Sequence, residues 1–156
     1  MLHIEPDRTV FDAPVQTIVN TVNCDGFMGK GLALEVKRRF PAVFAKYQTL
    51  CEKGQMKIGK LQLVKGRDKW VLNFPTKNHW RGKSSIGFLE AGLKTFKATY
   101  RRRGITSIAF PALGCGSGGL QWDEVKPLMH DYLEELSDIE IYICLGTPPR
   151  TTTENS

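Results

Sequence analysis

The sequence lacks the signals that would direct a chain into or across a membrane. No apolar run approaches the length needed to span a bilayer. The first ten residues include Glu5, Asp7 and Arg8 and contain no long apolar block, so we expect no secretory signal peptide. We therefore expect a domain that has no membrane association and works in the cytoplasm.

Paired cysteines are also missing. The four cysteines are scattered, and none belongs to a Cys-x-x-Cys pair; they are Cys24, Cys51, Cys115 and Cys144. This spacing does not indicate a metal site, so we expect no bound metal. We also expect no other cofactor. Scattered thiols suit a reducing compartment, in agreement with the expected cytoplasmic location.

Acidic residues are fewer than basic ones. The chain has 16 Asp and Glu against 22 Lys and Arg, which gives a net charge of +6. The excess basic residues lie in the segments 37–39, 57–69, 81–83 and 101–103. Two interpretations stay open: solvated helix ends and loops, or a surface that attracts polyanions such as nucleic acid. No helix-turn-helix, zinc-finger or RNA-binding aromatic motif accompanies the charge.

The sequence does contain an alternation of strand and helix patterns, in a length of 156 residues that suits one domain. Apolar and β-branched runs predict strands at 15–19, 60–64, 69–73, 107–110 and 139–144. Helical spacing of apolar residues predicts helices at 31–39, 42–50, 84–103 and 122–136. This alternation is typical of a layered α/β fold with a largely parallel sheet. We expect residues 1–147 to form the domain and the polar residues 148–156 to be a tail or the start of a linker.

Two glycine-rich segments, residues 20–32 and 113–120, follow predicted strands. Ligands of α/β folds bind at this position, beyond the carboxyl ends of the strands. Glycine lets a ligand approach the main chain closely, and amides near a helix N-terminus can hold a diphosphate. Residues 114–119 superficially match G-x-G-x-x-G, but they lie late in the chain and not in a usual Rossmann unit, and neither segment fits the G-x-x-x-x-G-K-[ST] phosphate loop. The matching positions favour a phosphate-containing ligand over two flexible turns.

The segments VNTVNCDGFMGKGLA (19–33) and FPALGCGSGGLQWDEV (110–125) resemble the macrodomain family, which binds ADP-ribose. Together with NFPTKNHWR (73–81), they are most similar to the DarG-type DNA ADP-ribosyl glycohydrolases. These are antitoxins that remove ADP-ribose from DNA bases, and they are related to the terminal ADP-ribose glycohydrolases. The resemblance covers nearly the whole chain. It implies a three-layer α/β/α fold with a central mixed, largely parallel sheet.

The resemblance also implies that ADP-ribose lies between the two glycine-rich segments. Asn23 would hydrogen-bond the distal ribose, which carries the scissile bond, and Asn20 would brace the segment. Thr9 stands where many macrodomains have an aspartate that binds the adenine amino group. The implied ADP-ribose-binding residues are Thr9, Asn20, Asn23, Met28, Gly29, Lys30, Gly31, Leu32, Thr76, Leu113, Gly114, Cys115, Gly116, Ser117, Gly118, Gly119 and Leu120.

Lys77 matches the catalytic lysine of the resembling branch and is the implied catalytic residue. Attack on the anomeric carbon and proton transfer both stay open as its role. Either role needs a pKa lowered by burial or by nearby positive charge. Lys83 is the alternative, but it does not follow a threonine as the family pattern requires. Gly118 replaces an aspartate of the terminal glycohydrolases, so we expect no carboxylate of the second segment to assist Lys77.

The residues after Lys77 are candidates for contact with DNA. Trp80 could stack on a base and Arg81 could pair with a phosphate. His79 could act as a general base, but a lone histidine in a loop is more often structural or faces the nucleic acid. Asp25 is the single carboxylate of the first segment, and we interpret it as a turn residue that bonds its own backbone. Cys24 and Cys115 fit as small residues beside the ligand, without a nucleophilic role.

Several functions stay open. The resemblance favours a DNA ADP-ribosyl glycohydrolase, with ADP-ribosylated DNA as substrate and a cognate DNA ADP-ribosyltransferase toxin as partner. The alternatives are a non-catalytic ADP-ribose-binding module and a hydrolase of ADP-ribose 1″-phosphate or O-acetyl-ADP-ribose. Antitoxins of this type usually carry a further C-terminal region that sequesters the toxin. We expect the domain to be a monomer.

Overall fold

The computed structural model describes residues 1–147, in which strands and helices alternate along the chain. The strands are β1 (Leu2–Glu5), β2 (Thr17–Val22), β3 (Gln62–Lys65), β4 (Trp70–Pro75), β5 (Ser107–Phe110) and β6 (Glu140–Cys144). The helices are α1 (Gly31–Arg39), α2 (Pro41–Glu52), α3 (Ile86–Thr99) and α4 (Trp122–Leu133). The predicted tail at 148–156 lies outside the described residues.

The six strands form one sheet in the order β1-β6-β5-β2-β4-β3. Neighbouring strands in the series β1-β6-β5-β2-β4 are parallel to each other, and the edge strand β3 pairs antiparallel with β4. This arrangement confirms the predicted mixed, largely parallel sheet. It also brings β5, β2 and β4 side by side at its centre, so the loops after these three strands emerge at the same edge.

Helices cover both faces of the sheet and complete the three layers. Consecutive residues of a strand point to opposite faces, and in β2 the fully buried Ile18 and Val19 belong to different apolar clusters. The cluster around Ile18 contains side chains from α1 and α2, namely Val36, Val43 and Tyr47. The cluster around Val19 contains side chains from α3 and α4, among them Leu89, Leu93, Phe96, Val125 and Met129.

Most predicted elements are present, with corrected ends. Helix α1 has the predicted bounds. Helix α3 begins later than predicted because the Ser85 side chain caps it, accepting a hydrogen bond of 3.2 Å from Phe88 N. Helix α4 ends at Leu133 and not at Leu136. Strand β2 continues past the predicted end at Val19 through two polar residues, Asn20 and Thr21. Strand β1 was not predicted.

A row of three amides, two of them buried, connects three neighbouring strands. Asn20 of β2 lies opposite Asn73 of β4, and Asn73 lies opposite Gln62 of β3. Asn20 Nδ2 donates to Asn73 Oδ1 at 3.0 Å, and Asn73 Nδ2 donates to Gln62 Oε1 at 3.0 Å. Asn20 and Asn73 are completely buried. These hydrogen bonds offset the cost of placing amides in an apolar interior.

Candidate functional site

Three loops meet at the carboxyl ends of the central strands. We call them the first loop (residues 23–30, after β2), the lysine loop (76–85, after β4) and the second loop (111–121, after β5). Main-chain hydrogen bonds tie them together: Cys24 N donates to Asn78 O at 3.2 Å, and Ser84 N donates to Gly118 O at 3.0 Å. The lysine loop therefore connects the other two.

The loops enclose a cleft of about 670 Å³, a volume within the usual range for a small-molecule site. Its walls come from the end of β2, the first loop, the start of α1, the lysine loop and the second loop. The lining residues are Thr21, Val22, Asn23, Phe27, Gly29, Lys30, Gly31, Leu32, Ala33, Thr76, Lys77, Trp80, Pro111, Ala112, Gly114, Gly116, Ser117 and Gly118. Twelve predicted site residues are among them.

The first loop is shaped around the side chain of Asn23. Asn23 Oδ1 accepts hydrogen bonds from Asp25 N at 2.9 Å and Phe27 N at 3.4 Å, and Asn23 Nδ2 donates to Phe27 O at 2.9 Å. The hydroxyl of Tyr47, which is buried in α2, lies 2.7 Å from Asn23 Oδ1 and 2.9 Å from Asn23 O. The amide of Asn23 carries a second hydrogen. The predicted bond from Asn23 to a ribose would use that hydrogen.

The N-terminus of α1 opens into the cleft. Gly31, Leu32 and Ala33 of its first turn line the wall, and within the described residues no side chain caps this end of the helix. The first main-chain N–H groups of a helix have no partner inside the helix, and they attract anions. This end of α1 can therefore hold a phosphate group.

The second loop is packed so closely that it needs glycine at two positions. Gly114 has a φ of +73°, which favours glycine, and its carbonyl accepts from Leu120 N at 3.0 Å. A Cβ atom on Gly118 would lie 2.3 Å from Ser84 Oγ and 2.5 Å from Gly114 O. The position that carries an aspartate in the terminal glycohydrolases therefore has no room for a larger side chain in this protein.

Lys77 lies inside the cleft and is only 7% exposed. Its Nζ donates to Trp80 O at 2.9 Å and lies 3.2 Å from Ser117 Oγ of the second loop. Burial lowers the pKa of the Lys77 ammonium below its usual value, and the positive charges of Lys30 and Lys83 lower it further. The structure therefore has both features that the sequence interpretation required of a reactive lysine.

Asp25 does not have the role predicted for it. Its carboxylate bonds the lysine loop and not its own backbone: Oδ2 accepts from Trp80 N at 2.9 Å, and Oδ1 lies 3.1 Å from His79 Nδ1. These hydrogen bonds lower the pKa of Asp25 although partial burial raises it, so the carboxylate stays ionised at neutral pH. The local turn that we had assigned to Asp25 is made by Asn23, two residues earlier.

Aromatic side chains form the rim of the cleft. Phe27 of the first loop is 54% exposed and Trp80 is 42% exposed, and their rings meet edge to face with centroids 5.9 Å apart. The Arg81 guanidinium lies over the Trp80 ring at 4.5 Å. His79 is largely exposed beside them. The three DNA-contact candidates therefore lie together on the lysine loop, and Trp80 alone among them lines the cleft.

Other predicted site residues do not line the cleft. Thr9 belongs to a turn before β2, where its Oγ1 accepts from Asp12 N at 3.2 Å. Asn20 contacts the first loop from the interior of the protein, since its Nδ2 lies 3.8 Å from Met28 Sδ. Met28 and Leu113 are core side chains. The remaining ones are Cys115, Gly119 and Leu120 of the second loop and the rim residues His79 and Arg81.

The cysteines near the cleft are poor nucleophiles. Burial raises the pKa of Cys24 to about 11 and also raises the pKa of Cys115, so both thiols stay protonated at neutral pH. Within residues 1–147, no group of His, Cys, Asp and Glu side chains could hold a metal ion. In the same residues, no helix has the length and apolar character of a membrane span.

Phe27 and Tyr47 were missed by the sequence interpretation. The signal for Phe27 was available, because a large aromatic side chain between glycines in a loop is often exposed for contact with a ligand. Tyr47 carries no such signal. It lies on the buried face of α2, and only the packing of α2 against the first loop brings its hydroxyl to Asn23.

The chain is similar to a group of proteins that act on ADP-ribose. The Macro domain family model matches residues 19–129. A DNA ADP-ribosyl glycohydrolase of Thermus aquaticus is 41% identical over 138 residues, which is 86% of this chain and 38% of that protein. This chain therefore spans well under half the length of that curated relative.

Solved structures show the same similarity. The macrodomain of Mycobacterium tuberculosis DarG superimposes with a TM-score of 0.88 at 38% identity, covering 96% of this chain and 99% of that one. The structure of Thermosipho africanus DarTG in complex with ADP-ribose superimposes with a TM-score of 0.84 at 41% identity. That match covers 93% of this chain and 42% of the other.

Proposed function

The chain belongs to the macrodomain family, and we propose that it binds ADP-ribose in the cleft and hydrolyses the bond between ADP-ribose and a base of DNA. The observation that carries this proposal is the position of Lys77. A buried lysine with a lowered pKa, held between the lysine loop and the second loop, is suited to chemistry and not to solvation of a surface.

ADP-ribose would lie across the cleft, with its diphosphate between α1 and the second loop. The first turn of α1 supplies main-chain N–H groups, and Lys30 adds a positive charge next to them. The glycines of the second loop let its main chain come close on the other side. The distal ribose would then lie near Asn23 and Lys77, which line the same cleft.

The neutral amine of Lys77 is the reactive form in either of two roles. As a nucleophile, Nζ forms a bond to the anomeric carbon while the carbon–nitrogen bond to the base breaks, and the departing base takes up the proton that Nζ loses. Water then attacks the anomeric carbon, Nζ regains a proton as it leaves, and ADP-ribose is released. As a general base, Nζ accepts the proton of an attacking water molecule and passes it to the departing base. The contacts of Nζ with Trp80 O and Ser117 Oγ fix its position in both cases.

DNA is the proposed carrier of the ADP-ribose because the mouth of the cleft has the features of a nucleic-acid surface. Trp80 and Phe27 offer exposed ring surfaces for a base, and Arg81 adds a positive charge. The net charge of +6 supports a general attraction to DNA, which high salt would weaken. His79 lies at the same rim.

The proposal extends to the biological setting. The similarity to DarG and DarTG proteins supports a role of the whole protein as an antitoxin against a DNA ADP-ribosyltransferase. A monomeric macrodomain and a cytoplasmic location stay predictions from the sequence. Reversal of the toxin's modification by this domain would then protect the cell's DNA. Thr9 does not line the cleft, so its contact with the adenine stays a prediction from the family resemblance.

The test compares ADP-ribosylated DNA with ADP-ribosylated protein as substrates for the wild-type domain and two variants. Lys77→Ala should abolish release of ADP-ribose from DNA while ADP-ribose still binds, as measured by calorimetry. Lys94→Ala is the matched control, because Lys94 is an exposed lysine on α3. Release from protein alone would contradict the DNA assignment. Binding of ADP-ribose without any release would identify a binding module.

A further inference from the structure

A continuous series of hydrogen bonds leads from the first loop to the amine of Lys77. Asp25 Oδ2 accepts from Trp80 N at 2.9 Å, and Trp80 O accepts from Lys77 Nζ at 2.9 Å. Both groups of Trp80 that take part belong to its main chain. Asp25 therefore fixes the main chain of Trp80, and the carbonyl of Trp80 in turn fixes the amine of Lys77.

The contact with Asp25 fixes the main chain of Trp80 directly. The segment that follows Lys77 is a turn on the surface, held by hydrogen bonds from Cys24 N to Asn78 O at 3.2 Å and from Gly82 N to His79 O at 2.9 Å. The Trp80 ring is 42% exposed and touches only the exposed Phe27 and Arg81 among ring and cation partners in the described residues. A turn of this kind has few apolar contacts to keep it in place.

Asp25 is well suited to fix this turn. It is the single carboxylate of the first loop, and the loop itself is fixed by the contacts of Asn23 and Tyr47. A carboxylate that accepts from a main-chain N–H forms a stronger hydrogen bond than a neutral acceptor does. The other carboxylate oxygen, Oδ1, lies 3.1 Å from His79 Nδ1, so both oxygens of Asp25 contact the lysine loop.

We propose that Asp25 is a positioning residue for catalysis: through the main chain of Trp80 it keeps Lys77 Nζ aimed into the cleft. This inference rests on the proposed function. The role of Asp25 is geometric, because its carboxylate reaches Lys77 Nζ through the main chain of Trp80. An amine that loses its carbonyl partner samples other rotamers, and small displacements of a reacting group slow the chemical step strongly.

The test measures release of ADP-ribose from modified DNA, with separate kcat and KM, for the wild type and three variants. Asp25→Ala removes the acceptor and should lower kcat about tenfold. Asp25→Asn keeps an oxygen that can accept from Trp80 N and should retain kcat within about threefold. Asp131→Ala is the control, since Asp131 is an exposed carboxylate on α4. The affinity for ADP-ribose should stay unchanged in all of them.

A second readout is independent of turnover. In the ¹⁵N NMR spectrum of the unliganded domain, the Trp80 amide proton should move upfield in Asp25→Ala, as expected when a hydrogen bond to a carboxylate is lost, and should not move in Asp131→Ala. An Asp25→Ala variant with wild-type kcat would overturn the inference. So would an equal loss of kcat in Asp25→Asn, or a parallel loss of ADP-ribose affinity. A wild-type domain that releases nothing from DNA would instead overturn the proposed function.

Discussion

Replacing Tyr47 with phenylalanine should loosen the first loop without disturbing the core around the ring. The Tyr47 side chain is completely buried between α2 and the sheet, and its hydroxyl is the one α2 group bonded to Asn23. Burial raises the pKa of Tyr47 far above its usual value, so the hydroxyl stays protonated and acts as a donor. Phenylalanine keeps the ring and removes the hydroxyl, which also contacts the main chain of Gly26 and the side chain of Cys51.

The expected loss follows from the partners that remain. Asn23 Oδ1 keeps hydrogen bonds from Asp25 N and Phe27 N, so it stays satisfied. Asn23 O loses the donor that the structure gives it. A buried acceptor left without a partner costs about 1 to 3 kcal/mol. The low end of this range applies here, because Asn23 O loses its partner whereas Asn23 Oδ1 keeps two others. We expect a loss of roughly 1 to 2 kcal/mol, or a fall in Tm of about 3 to 6 °C.

The assay combines urea unfolding with calorimetric titration of ADP-ribose. Tyr47→Phe should lower the free energy of unfolding by the amount above and weaken ADP-ribose binding, since Asn23 and the first loop line the cleft. Tyr132→Phe is the control: it removes the hydroxyl that Tyr132 of α4 donates to Glu90 of α3, away from the cleft, and should leave the free energy of unfolding nearly unchanged. Wild-type stability and affinity in Tyr47→Phe would refute the reasoning.

Two further predictions concern the lysine and the second loop. Lys83→Gln removes a positive charge that lowers the pKa of Lys77, so that pKa should rise and the neutral amine should form at higher pH. In a pH–rate profile, the rise of kcat with pH should therefore move to higher pH, and an unmoved profile would contradict this. Gly118→Ala should lower stability by about 1 to 3 kcal/mol in urea unfolding because its Cβ would overlap Ser84 Oγ. Gly116→Ala should leave stability nearly unchanged, since no atom lies within 4 Å of a Cβ there, and equal losses in the two variants would refute the packing argument.

The regular elements could be predicted where their patterns are long or clearly bounded. Helix α1 has the expected ends because the sequence passes from glycines to basic residues and then to Pro41. Strand β1 escaped prediction because its four residues are all half-buried and do not form an apolar run. The end of β2 was placed too early because Asn20 looks like a loop residue, and only the partner amide of Asn73 makes it a strand residue.

The candidate site could be predicted as a set of loops but not as a set of contacts. The glycine patterns and the family resemblance located Lys77 and both glycine-rich segments, and the structure brings them to one cleft. The roles of Asn23 and Asp25 could not be separated from sequence, since either residue can bond a turn. Asp25 reaches Trp80, 55 positions further along the chain, and that contact exists only because β2 and β4 are neighbours.

The row of amides formed by Asn20, Asn73 and Gln62 has a consequence for the alignment of the strands. A sheet can keep its apolar faces while one strand slides by two residues, which moves that strand by about 6.6 Å. Sliding β4 along β2 would leave both buried amides facing apolar neighbours on the other strand and would break the hydrogen bond between them. Lys77 follows Asn73 by four positions and Asn23 follows Asn20 by three. The hydrogen bond between Asn20 and Asn73 therefore fixes the register of β4 on β2, and with it the position of Lys77 relative to the first loop, although neither amide lines the cleft.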